Sequence, residues 1–190
     1  MIPAMTEREI RLFESFLAQS TTYLEFGSGG STFLATRLVK QRVVSVDSSE
    51  KWLADVGAAC AAAGHAVTPD LVFEDIGPVG DWGAPTDIAS EDLWPNYYSG
   101  VWQKRPVDDT DLYLVDGRFR VACFASIVRR CRPDAVILIH DFDSRPHYHP
   151  VTTIARRIAG VDDLAVFVPA DGRRASAVDA LLERFGFDPA

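Results

Sequence analysis

Apolar positions in this chain switch between helical and alternating spacing, and the switches mark its elements. Ile10, Phe13, Phe16 and Leu17 share one helical face behind Thr6-Glu-Arg-Glu9, a capping-box pattern, which predicts an opening helix. A β-type run from Tyr23 to Phe26 meets glycines at 27, 29 and 30. Phe33, Leu34, Leu38 and Val39 then recur at helical spacing, and Val43 to Val46 extends again into Asp47. Ser48 or Ser49 caps a second crossover helix, with Trp52, Leu53, Val56 and Cys60 on one side and Gly64 stopping it. Val67 to Glu74 reads as a third strand and Asp111 to Asp116 as a fourth. Ala135 to His140 is a fifth, whose unbroken apolar run suits a parallel strand buried on both faces. Gly117 turns the fourth strand into a helix with Phe119, Val121, Phe124 and Val128 facing inward, broken at Pro133-Asp134. After Pro146 and Pro150, the spacing of Val151, Ile154, Ala155 and Ile158 predicts another helix, and residues 162–168 predict a sixth strand. Only residues 174–178 then remain for a seventh, before a closing helix through Val178, Leu181, Leu182 and Phe185. This order predicts an α/β fold with a mostly parallel sheet of six to seven strands.

The 190 residues suit one domain, 1–190, with the opening helix inside 1–20 and one aperiodic stretch at 77–109. That stretch holds Trp82, Trp94, Tyr97, Tyr98 and Trp102 among four prolines. It leaves the third strand on the sheet's carboxyl edge and reads as a lid or substrate wall, with Trp102 as its substrate-contacting aromatic, or equally as a homodimer contact or satellite core. A hydrophobic fraction of 47% and a charged fraction of 24% are those of a soluble globular protein. No apolar run approaches the ~20 residues that cross a bilayer, and the first residues lack a signal-peptide pattern, so a cytoplasmic location and no membrane partner are expected. A net charge of −8 disfavours nucleic acid and points to a small-molecule partner. The three cysteines, Cys60, Cys123 and Cys131, form no CxxC pattern and read as reduced, partly buried residues.

The candidate chemistry gathers at the carboxyl edge, because a strand, helix, strand unit makes a parallel pair with a right-handed crossover. Gly27 and Gly29 let the chain turn tightly and a ligand approach backbone N–H groups, and the following helix favours negative charge at its amino end. Asp47, twenty residues beyond Gly27, can accept hydrogen bonds from both hydroxyls of a ribose. The unit therefore reads as a nucleoside-type cofactor site, the alternative being a tight αβ turn with Asp47 capping the next helix. Against a dinucleotide stand Thr32 at the third glycine position and Glu25, an acid close to where a pyrophosphate would sit.

Glu25-x-Gly27-x-Gly29 followed by Asp47 resembles motif I of the class I S-adenosylmethionine-dependent methyltransferases, which have a Rossmann-like three-layer α/β/α sandwich. The resemblance covers residues 21–170. It implies that Glu25, Gly27 and Gly29 hold the methionine part of S-adenosylmethionine, that Asp47 holds its ribose, and that Asp75 and Ile76, ending the third strand, hold the adenine; on the residues alone Asp75 reads equally as a solvated loop acid. Val-Asp116-Gly and Ile-His-Asp141-Phe are similar to the small-molecule O-methyltransferase group, in which some members bind a divalent metal with such acids. Asp116 and Asp141 are the candidate catalytic residues. Arg118 stands where that group often has a His; it reads as a clamp for a substrate anion or as a partner of Asp116 or Asp141. His140, His147 and His149 lie in one segment, and His140, His147 or Asp141 could act as a base. No i, i+4 His pair exists, and no metal site is assigned. The implied activity is methyl transfer to an oxygen or nitrogen of a small molecule. The rivals are a non-catalytic cofactor-binding or interaction protein and a short NAD(P)-binding oxidoreductase, the latter lacking a Tyr-x-x-x-Lys pair.

Overall fold

The structure, a computed structural model, describes residues 1–170, 172 and 175–190. Seven strands are present among them: β1 (Thr22–Phe26), β2 (Arg42–Asp47), β3 (Asp70–Phe73), β4 (Leu112–Val115), β5 (Val136–Ile139), β6 (Ala155–Val161) and β7 (Leu164–Pro169). They form one sheet in the order β3-β2-β1-β4-β5-β7-β6, parallel throughout except for β7, which runs antiparallel to both its neighbours. The winding direction reverses between β1 and β4, which opens a crevice at their carboxyl ends.

Alternation along the strands divides the core in two. Leu24, Phe26, Val44, Val46, Tyr113, Val115, Ile137 and Ile139 face one side, where they pack against α6 (Arg120–Arg130) and α7 (Ala175–Phe185). Tyr23, Val43, Leu112, Leu114 and Leu138 face the other, with Phe13 and Leu17 of α1 (Glu7–Leu17) and Leu34 and Ala35 of α2 (Gly30–Leu38). The third helix of that face, α3 (Glu50–Ala63), is capped by the Ser49 hydroxyl, which accepts from Trp52 N–H, and stops at Gly64 in the left-handed region. The capping box at Thr6 and Glu9 is formed, and α1 lies on the sheet face with its amino end at the carboxyl edge.

Three expectations change. Residues 151–158 do not form a helix: Pro146–Thr153 is a 3-10 turn interrupted by Pro150, and the chain then extends as edge strand β6. Its exposed Arg156 and Arg157 hide the alternation, as charges on edge strands do. The stretch at 162–168 corresponds to β7, the antiparallel strand. Residues 175–178 open α7 and are not a strand, while Arg174 lies outside the described residues.

Residues 77–109 divide into two parts. Trp94, Tyr97, Val101 and Val107 are buried in the core, on and beside two short helices, α4 (Asn96–Ser99) and α5 (Val101–Lys104). The earlier part forms a flap closed by a bridge between Val79 and Pro85, from which Trp82 projects with 83% exposure. The flap rests on the end of β2, where the Ser48 hydroxyl donates to the Gly83 carbonyl at 3.5 Å.

Candidate active site

Gly27 leaves β1 at φ +100°, and a Cβ there would stand 2.5 Å from the Gly117 nitrogen and 2.6 Å from its Cα. The turns after β1 and β4 therefore lie back to back, and only glycine permits that approach. Beneath the turn, Glu25 is fully buried on the α2 side of the sheet. Its carboxylate accepts from the Tyr23 hydroxyl at 2.8 Å and from the Thr32 hydroxyl, whose oxygen in turn accepts the Gly29 N–H at 2.9 Å. Thr32 thus replaces a third glycine with a side chain that carries the shape of the turn down to Glu25. Burial raises the Glu25 pKa to about 7, opposed by hydrogen bonds from Ser31, Thr32, Ser45 and Tyr23. As no part of Glu25 reaches the surface, it supports the turn from below and does not face a ligand above it.

Asp47 ends β2 with Oδ2 accepting from both the N–H and the hydroxyl of Ser28 at 3.0 Å, and Oδ1 accepting from Ser49 N–H at 3.0 Å. Burial raises its pKa, and these bonds pull it back. Sequence reasoning assigned Trp52 to the α3 packing face. Instead it is 41% exposed, donates through Nε1 to the Ser28 carbonyl at 2.8 Å and lies beside Gly29. Asp75 is exposed and accepts from Gly77 N–H at 2.9 Å, whereas Ile76 is wholly buried in the core cluster that holds Trp94 and Tyr97.

The turns after β4 and β5 bring Asp116, His140 and Asp141 together. His140 Nδ1 lies 3.1 Å from Asp116 and 3.5 Å from Asp141, and Nε2 lies 3.5 Å from Glu9. Burial works to lower the His140 pKa, but the bond to Asp116 and the charges of Asp116, Asp141 and Glu9 prevail and raise it above 6.5. Arg120, which sequence reasoning passed over, bridges Asp116 and Asp141 at 3.2 Å each. Arg118 makes neither contact: its Nε is buried without a partner and its backbone N–H points to the Tyr97 hydroxyl. The cause is local, since Phe119 takes a left-handed conformation at φ +52° and turns the next residue toward the edge.

Trp102 is not at this edge. It packs on Tyr113 near the amino end of β4, donates to the Tyr98 carbonyl at 3.0 Å and lies under Arg130, which corrects its assignment to the substrate. His147 is exposed on the 3-10 turn, its ring against Tyr148. Glu9, read only as a cap, is buried; its Oε1 accepts from Asp163 N–H at 2.8 Å and so ties α1 to the turn between β6 and β7. A cavity of about 680 Å³ opens beside His140 and Asp141, bounded further by residues 3–6, Glu9, Asp162 and Asp163. The backbone of Ile2 and Pro3 crosses the start of α2 so closely that a Cβ on Gly30 would overlap it. The segment before α1 therefore runs from the glycine turn to the cavity.

An all-parallel dinucleotide fold orders its strands 3-2-1-4-5-6; the antiparallel β7 inserted between β5 and β6 departs from it. No protein-family profile and no curated protein matches the chain in sequence. Among solved structures, the O-methyltransferase TomG of Streptomyces achromogenes, in complex with S-adenosylmethionine, is 18% identical with a TM-score of 0.59, over 88% of this chain and 82% of that one. An O-methyltransferase from Bacillus cereus, in complex with S-adenosylhomocysteine, is 14% identical with a TM-score of 0.59, over 88% and 84%. These two share the fold. A methyltransferase-like protein from Silicibacter pomeroyi is 30% identical with a TM-score of 0.88, over 98% of this chain and 97% of that one. At that identity over nearly the whole of both chains the likeness extends beyond architecture, and the protein belongs to the class I, Rossmann-like S-adenosylmethionine-dependent methyltransferase superfamily.

Proposed function

We propose that the protein transfers a methyl group from S-adenosylmethionine to an oxygen or nitrogen of a small molecule bound beside His140. The observation that carries this reading is the back-to-back packing of Gly27 and Gly117, which sets a nucleoside-type turn one residue from Asp116. The residues fit the cofactor. Gly27 and Gly29 form the turn that would lie against its methionine part, with Glu25 holding that turn through Thr32. Asp47 accepts three hydrogen bonds, which leaves its carboxylate capacity for a ribose hydroxyl. Trp52 stands beside the turn, and the exposed Asp75 would mark the adenine end, with Ile76 buried behind it. The bound cofactor supplies an electrophilic methyl on a sulfonium.

The chain's own contribution is alignment and proton removal. Asp116 and Asp141 hold the His140 ring from its Nδ1 side and Glu9 stands 3.5 Å from Nε2, so a proton taken from an acceptor in the cavity would enter at Nε2, where Glu9 can share it. The raised pKa of His140 means that the neutral, basic form gains population only as pH rises above 6.5. Carboxylates line the cavity: Glu9 and Asp163, together with Asp141 and Asp162, which pair with Arg120, Arg145 and Arg8. That lining favours amines and neutral hydroxyl compounds over anions. Incubation with methyl-labelled S-adenosylmethionine and a panel of amines, phenols and carboxylic acids tests the reading. Label on amines or phenols is expected; label confined to carboxylic acids would refute the role given to the acidic lining.

A further inference from the structure

Asp116, His140 and Asp141 offer ligand atoms within 4.8 Å of one another, close enough to hold a divalent metal ion such as the sequence resemblance implies for some of the O-methyltransferase group. The surrounding residues do not fit a metal, because a cation already stands between the carboxylates. The Arg120 guanidinium reaches Asp116 Oδ1 and Asp141 Oδ2, each at 3.2 Å, through one nitrogen, Nη2. Its Nε donates to the Gly117 carbonyl at 3.0 Å, and Nη1 donates to the His140 carbonyl at 2.7 Å. All three nitrogens are used, both catalytic-edge turns are tied together, and the residue is only 4% exposed. Its face lies over the Tyr148 ring, 5.4 Å from the centroid. A second guanidinium, Arg145, sits 2.9 Å from the same Asp141 oxygen.

The location also argues that Arg120 is there for these partners. It is the first residue of α6, where the helix dipole disfavours a cation. Phe119 holds a left-handed conformation that a bulky residue seldom adopts, and that turn delivers Arg120 to the edge. An unfavourable charge position and an unfavourable backbone are both accepted where two carboxylates and two carbonyls receive the side chain.

We propose that Arg120 is the permanent cation of this edge, a positioning residue that takes the place of a divalent metal, and that the protein binds no metal ion there. Its guanidinium shares one positive charge between Asp116 and Asp141, fixes their spacing and locks the carbonyl of His140. It follows that the acceptor is oriented by hydrogen bonds to His140 and its neighbours and not by metal chelation. This last consequence rests on the methyl-transfer reading; the assignment of the cation does not, and its test needs no turnover.

The test is a Mn²⁺ titration of the full chain, followed by calorimetry and by paramagnetic broadening of the His140 ring signals. Wild-type protein is expected to show no binding and no broadening at millimolar Mn²⁺. Arg120→Gln, which removes the charge and keeps much of the volume, is expected to bind Mn²⁺ at least ~10-fold more tightly through the vacated carboxylates. Wild-type binding that Asp116→Asn abolishes would overturn the proposal, and so would a folded Arg120→Gln that binds no more tightly than wild type. Should that variant not fold, the wild-type spectra decide alone: broadened His140 signals overturn the assignment and unbroadened ones uphold it.

Discussion

Replacing Glu25 by glutamine should remove a pH-dependent weakness from the fold. The carboxyl is fully buried, and its pKa rises from an ordinary 4.5 to about 7 because burial penalises the charge more than its four hydroxyl partners reward it. The native state therefore holds this proton more tightly than the unfolded chain. Stability from this group falls as pH rises above 4.5, and the loss is complete once pH exceeds the native value. With those two values, the loss between pH 5 and pH 8 is about 2.5 kcal/mol. Glutamine keeps the shape, and the Tyr23 and Thr32 hydroxyls can rotate to accept from its amide. Urea unfolding of wild type and Glu25→Gln at steps from pH 5 to pH 8 measures the difference directly. The wild type should lose about 2.5 kcal/mol more than the variant across that range, or roughly 5 to 10 °C in Tm for a chain of this size. Parallel stability curves for the two proteins would show that Glu25 does not titrate in this window, and would remove it as the buried anchor of the turn.

Gly27→Ala places a methyl group against the Gly117 backbone at a positive φ, so strain and overlap add. A loss of about 3 kcal/mol is expected, visible as a lower urea midpoint with unchanged slope. His140 should titrate by NMR above 6.5, and Asp116→Asn should lower that value by removing its closest partner. The contribution of the raised His140 to stability is fully present below pH 6.5 and is lost as pH rises through the native value. Asp116→Asn should therefore flatten the wild-type decline in stability on the alkaline side of pH 6.5, as read by thermal unfolding.

The parallel half of the fold was legible because its signals are local. Buried strands are continuous apolar runs, glycine marks the turn, and Ser49 and Gly64 bracket α3. Edge strand β6 was not, since its outward arginines break the alternation and Val151, Ile154 and Ile158 happen to fit a helical spacing. At the site, Gly27, Asp47, Asp116 and Asp141 stand at strand ends, which periodicity locates well. That Arg120 and not Arg118 meets the two carboxylates follows from the left-handed conformation of Phe119, a tertiary effect without a composition signal. A cation opening a helix with no acid in its first turn was the available hint. Glu9 was visible as a cap, but its reach to His140 depends on how α1 lies on the sheet. Trp52 lies at the glycine turn and Trp102 away from it, because exposure cannot be read from an aromatic residue's type.

We propose that the turn between β1 and α2, together with Asp47, holds the nucleoside of an adenosyl cofactor. Isothermal titration of S-adenosylhomocysteine into wild type and Asp47→Ala, with NAD as the comparison ligand, tests it most directly. One site per chain is expected in the wild type, with an affinity roughly 10- to 100-fold weaker in Asp47→Ala from the loss of charge-assisted hydrogen bonds, and no heat with NAD. Equal affinity in the two proteins would take Asp47 out of the site, and binding of NAD without S-adenosylhomocysteine would contradict the account at its base.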